Sequence, residues 1–229
     1  MKLWNLLLGS LLVLWLGGNI VGQSRDLVFI NLGNELAAQE KYELAIKQYE
    51  RVSSNNGMAY QRALYNIGVC YYELWRTHDA IVFYRRALEA SNSRYPQASY
   101  ALGIALQDQD DTSAARAAYQ QALDASNGKY GPAAYKLGVM AAHEGETERA
   151  VALFKQAATQ PGPHVAAARN NLGVMFAREG KLVDAEKQFQ LALKHANGSF
   201  ADAEHNLELC RLMRTTAVNQ KIAELTLSM

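Results

Sequence analysis

Tyr65, Tyr100 and Tyr135 stand 35 residues apart, and four residues after each comes a β-branched side chain, Val69, Ile104 and Val139. Asn170 takes the tyrosine place one step further on, with Val174 four residues after it, and Tyr72 lies three beyond Val69. Another row, at multiples of the same step, holds Asn31, Asn66 and Asn171. Side chains of these types bind molecules rather than make or break bonds. Tyrosine buries an apolar ring and keeps a hydroxyl for hydrogen bonds, which suits an extended peptide or sugar rings stacked on the tyrosines. Residues at i, i+4 and i+7 share one helix face, so Tyr65, Val69 and Tyr72 form a stripe. Packing between neighbouring helices uses the same residue types, and both readings stand at this point.

Nothing else in the chain points to catalysis. There is no serine elbow, phosphate loop or metal-ligand cluster, and neither a metal nor a cofactor is expected. Five histidines are scattered, with His164 in the Pro161–Pro163 loop and His195 and His205 ten residues apart without a carboxylate–histidine motif. Cys70 and Cys210 are too few for a disulfide framework and read as small buried hydrophobes. Formal net charge is +1 with no block of like charge, which excludes nucleic acid as the main ligand because phosphate binding needs a concentrated basic face. Asn197-Gly198-Ser199 is a glycosylation sequon with meaning only in a eukaryotic source.

The helices that must position these rows are visible as a repeat. An apolar residue followed by glycine recurs every 35 residues at Leu32-Gly33, Ile67-Gly68, Leu102-Gly103, Leu137-Gly138 and Leu172-Gly173. Twelve residues after each glycine stands an alanine, Ala45, Ala80, Ala115, Ala150 and Ala185, and four further on an aromatic, Tyr49, Tyr84, Tyr119, Phe154 and Phe189. Each unit reads as two helices, for example about 26–38 and 42–54, joined by a tight turn. Phe29, Leu32 and Leu36 make the apolar stripe of the first helix. Glycine inside a helix costs about 1 kcal/mol relative to alanine, so keeping it in phase implies close packing, with the aromatic filling the space left. Gly145 and Gly180 end first helices in left-handed backbone. Tyr60, Tyr95, Tyr130 and Phe200 each precede a new first helix as a hydrophobic staple.

This pattern of apolar-Gly, Ala, aromatic and small apolar positions resembles the tetratricopeptide repeat over roughly residues 26 to 214. The resemblance implies an all-α, right-handed α-solenoid of about five helix-turn-helix repeats, 26–60, 61–95, 96–130, 131–165 and 166–200. A capping helix and tail, 201–229, follow. It also implies that the tyrosine and valine rows line a concave groove. Chaperone adaptors of this family clamp a terminal carboxylate there, but the basic places hold Ile30, Gln97 and Ala101, so no such clamp is expected. The array of O-linked N-acetylglucosamine transferase carries an asparagine ladder two residues before the glycine. Asn31, Asn66 and Asn171 match it, with Asn206 in the capping copy, while Ala101 and Lys136 break it. Backbone-directed amide bonding to an extended peptide follows near both ends.

The first stretch stands apart: Met1-Lys2, then an uncharged apolar run from Leu3 to Val21, with Gly22-Gln23-Ser24 before Arg25. It reads as a secretory signal peptide or as an uncleaved membrane anchor, which would be the chain's membrane contact. No cysteine follows it to carry a lipid. The expected protein is therefore an exported, periplasmic or cell-envelope scaffold. It binds a protein or peptide partner, such as a segment of an envelope complex, without catalysis. The alternative is a glycan-handling module for polysaccharide export or cell-wall assembly. Beyond Thr215 the last helix either continues through Val218, Ile222 and Leu225 or frays.

Overall fold

The computed structural model describes residues 25–215, 225, 227 and 228. The signal or anchor segment lies outside the described residues, as do Val218 and Ile222. Helix α1 covers 25–38. It is followed by α2 (Tyr42–Tyr49), α3 (Gly57–Glu73), α4 (Thr77–Ala90), α5 (Pro96–Gln107) and α6 (Thr112–Ala125). Then come α7 (Gly131–His143), α8 (Thr147–Ala158), α9 (His164–Arg178), α10 (Leu182–His195) and α11 (Ala201–Thr215). No strand occurs among the described residues. The chain is an all-α solenoid of repeated helix pairs.

The turn inside every pair closes in one way. Residues 40, 75, 110, 145 and 180 all adopt left-handed backbone, with φ between 59° and 77°. The next amide reaches back to the carbonyl five residues earlier, as in Lys41 N to Leu36 O and Lys181 N to Phe176 O, both 2.9 Å. That 6→1 bond, with the 5→2 bond inside it, is the Schellman closure that satisfies carbonyls orphaned at a helix end. Glycine supplies the conformation at Gly145 and Gly180, while Glu40, Trp75 and Asp110 adopt it with side chains attached. Between pairs, Gly128 and Gly198 close α6 and α10 by the same 6→1 bond, to Leu123 O and Leu193 O at 2.8 Å.

Within a pair the glycine and the aromatic meet face to face. A Cβ placed on Gly33, Gly68, Gly138 or Gly173 would lie 2.4 to 2.8 Å from the ring of Tyr49, Tyr84, Phe154 or Phe189 respectively. The absent side chain is thus the seat of the ring. The alanines at the next position, Ala45, Ala80, Ala150 and Ala185, are completely buried. Burying one such ring contributes on the order of 1.5–3 kcal/mol, which outweighs the helix cost of the glycine.

Two compact units divide the chain, Met1–Ala115 and Arg116–Met229. In the first, α3 packs on α4, and α2 and α4 are covered by the first helix that follows each. In the second, α7 packs on α8, α9 on α8 and α10, and α11 closes against α10. Leu32 departs from the sequence expectation. It is 39% exposed, whereas the equivalent Ile67, Leu102 and Leu172 are buried against α2, α4 and α8. That stripe is covered by the preceding repeat, and among the described residues nothing precedes α1. Ile30, placed on the groove face by its spacing, is instead fully buried. Helix α2 ends at Tyr49 rather than near Ser54. There the Asp26 carboxylate takes the Ser53 amide (3.0 Å) and the Asn56 side-chain amide (3.0 Å), holding this turn open. Because α3 then starts early, Tyr60 falls inside it, whereas Tyr95 and Tyr130 precede α5 and α7 as expected.

Candidate functional site

In the first unit the groove side chains are tied to one another. Tyr49 donates its hydroxyl to Asn34 Oδ1 at 2.8 Å, and Asn66 Nδ2 donates to the same oxygen at 3.1 Å. Burial pushes the Tyr49 phenol up to about 12. These residues line a cleft of about 160 Å³ with Val69 and Cys70. Burial also pushes the Cys70 thiol up to about 11, so it is an inert packing group. Tyr65 is half-buried, its ring 5.9 Å from that of Tyr84 and 5.2 Å from that of Tyr95, and burial raises its pKa. Tyr72 donates to Asp108, and that bond, with burial behind it, raises its pKa to about 12. Tyr100 and Ile104 are half-buried, and Asn31 is exposed. A larger cleft, about 460 Å³, opens beside Leu27, Met58, Arg62 and Tyr95.

The second unit holds Tyr135, Asn170 and Asn171, with Val139 and Val174 buried alongside. Here the site is occupied by the chain's own tail. Ser228 donates its amide to Asn171 Oδ1 (2.6 Å), and its carbonyl accepts from Asn171 Nδ2 (2.8 Å) and from the Tyr135 hydroxyl (2.7 Å). Its hydroxyl accepts from Asn170 Nδ2 (3.0 Å) and donates to Asp202 Oδ2 (2.9 Å). Asn206 braces Asn170 through a 2.9 Å bond. A primary amide offers a donor and an acceptor side by side. It therefore matches the N–H and C=O that one residue turns to the same side in an extended chain. Leu225 and Ser228 are buried, and neither belongs to a helix. The tail thus neither prolongs α11 as far as Leu225 nor frays there.

The repeat phase placed Tyr135, Asn170, Asn171 and Asn206 on this face. It missed Asp202, which sits one helical turn before Asn206, and it missed the tail, whose residues carry no repeat signal. His164, expected in a loop, is the first residue of α9. Its ring lies over Gly131, where an added Cβ would come within 2.1 Å of Nε2, and Nε2 bonds Ala157 O at 3.1 Å. No cluster of histidine, cysteine and carboxylate side chains suited to a metal occurs among the described residues.

The tetratricopeptide repeat model matches residues 30–96, 100–164 and 148–202. No curated protein matches the sequence. Among solved structures the chain is similar to MamA, at 26% identity, TM-score 0.57, with 72% of this chain and 94% of that one covered. It shares its fold with TTC0263, a thermophilic TPR protein in Thermus thermophilus (24% identity, TM-score 0.53, 82% and 99% covered). The fold is shared also with YrrB, a TPR protein with an unusual peptide-binding site (23% identity, TM-score 0.55, 71% and 81% covered). With the glycine–aromatic seat in the helix pairs and the family model matched along most of its length, the chain belongs to the tetratricopeptide repeat family.

Proposed function

We propose that this protein is a non-catalytic scaffold that holds an extended segment of a partner protein against the first-helix faces of its repeats. The observation that carries this is the paired bond of the Asn171 amide to both main-chain groups of Ser228, reinforced by Tyr135. A site that already bonds main chain in this way is built for peptide. Asn66 holds the equivalent place in the first unit, beside its own cleft. YrrB, of the same fold, is described as having a peptide-binding site, which fits this reading.

Selection of peptides from a displayed random library on the whole chain tests it. Enriched peptides should lose binding to Asn66→Ala and Asn171→Ala variants whose helical melts are unchanged. Enrichment of no peptide, with the tail in place or displaced, would sink the scaffold reading. The Tyr65 ring lies against two other tyrosine rings, which leaves less of its face for a sugar, so peptide is preferred over glycan. The apolar run ahead of Arg25 supports work outside the cytoplasm, in the periplasm or cell envelope. Cell fractionation with sequencing of the mature amino terminus tests that. A cytoplasmic chain that still begins at Met1 would refute it.

A further inference from the structure

All three polar groups of Ser228 are bonded to the second unit, through Tyr135, Asn170, Asn171 and Asp202. Two of these residues read main chain and two read the side chain. The side-chain pair is selective, because it needs a group that accepts from the Asn170 amide and donates to the Asp202 carboxylate. A hydroxyl does both. A carboxylate or phosphate in that place would face Asp202 with like charge, and an alanine would leave the carboxylate without its donor. Three residues earlier, Leu225 is buried as well.

We propose that the end of the tail, held through Ser228 and with Leu225 buried, is the resident ligand of the second unit's groove. The groove accepts main chain bearing a small hydroxyl side chain, and a partner segment must carry the same chemistry and displace the tail to bind. This rests on the peptide-scaffold reading and adds to it a sequence preference and a built-in competitor. A tethered segment meets its site at an effective concentration on the order of millimolar. Free peptides therefore bind the native chain only in proportion to the fraction of grooves that are open.

Amide exchange at Ser228 in the full chain is the first test. Protection there should fall about ten-fold or more in Asn171→Ala. An unprotected Ser228 amide, or protection that vanishes on dilution and so belongs to a second copy, overturns the proposal. The second test is binding of a fluorescent peptide of residues 219–229 to the full chain and to a full-length Leu225→Asp/Ser228→Asp variant. The variant should bind at least about ten-fold more tightly, and should bind poorly to the same peptide made with phosphoserine or alanine at the serine. Equal binding to the two chains overturns the competitor, and equal binding of the alanine peptide overturns the hydroxyl preference. Library selection on the released variant separates this proposal from the reading beneath it. Peptides that depend on Asn171 but carry no small hydroxyl residue would sink the proposal and leave the scaffold standing. Recovery of no peptide at all would remove both.

Discussion

At the scale of single residues, the repeat is held by contacts that tolerate very little change. Gly138 receives the Phe154 ring where its Cβ would be, at 2.8 Å. Gly138→Ala gains about 1 kcal/mol in helix propensity, but overpacking a full core costs on the order of 1–3 kcal/mol. The variant should therefore be less stable, and Phe154→Leu beside it should recover part of the loss through their coupling. Urea unfolding of the single and double variants measures this, and a more stable Gly138→Ala would contradict the seat. His164 gives a pH dependence. Burial lowers its pKa from the ordinary 6.5, and Nδ1 has no partner among the described residues, so the folded state holds it neutral. The unfolded chain binds the proton more readily, so its contribution to stability is complete above about pH 6.5 and is lost as pH falls through the depressed folded value. The melting temperature should drop between about pH 7.5 and pH 5. His164→Asn should drop less over that range, and parallel profiles for the two chains would remove His164 as the cause.

At the scale of elements, the turns are more constrained than their sequences. Trp75 adopts φ 60° at the close of α3 and is 91% exposed, so its side chain contributes little packing. Left-handed backbone costs a residue with a side chain about 1–2 kcal/mol. Glycine avoids that but gives back about 0.5–1 kcal/mol of unfolded-chain freedom. Trp75→Gly should therefore stabilise the chain by about 0.5–1 kcal/mol, read as a higher urea midpoint. Glycine already stands at the equivalent places, Gly145 and Gly180. Element ends also explain where the sequence reading slipped. Spacing alone extended α2 to Ser54, because the capture of the Ser53 amide by Asp26 is a contact across 27 residues that periodicity does not record.

At the scale of the whole molecule, stability in a repeat chain is close to a sum of neighbour interfaces, so the ends matter most. Helix α11 covers α10 with Leu207, Leu209 and Met213 buried. The Glu186 carboxylate of α10, held below its usual range first by Arg211 and then by Arg214, ties the two together. Removing residues from Asp202 onward should uncover that face, lower the melting temperature and promote aggregation. A truncated chain that melts like the whole one would show that α11 does not act as a cap. The truncation also removes the tail that fills the groove together with Asp202, so the second unit should lose any preference for a small hydroxyl side chain while Tyr135 and Asn171 remain.

The sequence by itself determined the helices and their pairing. Glycine, alanine and aromatic recur in one phase, and each helix pair uses them in the same local contact. It also placed Tyr135, Asn170 and Asn171 together, because residues on one helix face share a period. What only the tertiary structure decided is what meets that face. Ile30 is buried in one core cluster with residues of α2 and α3, while Leu32 is exposed. In the second unit the groove is filled by Ser228, bonded to residues 26 to 93 positions away. A hydrogen bond over that separation leaves no period in the sequence. It follows from where the folded helices place the tail, and it turned an expected open groove into one that carries its own peptide.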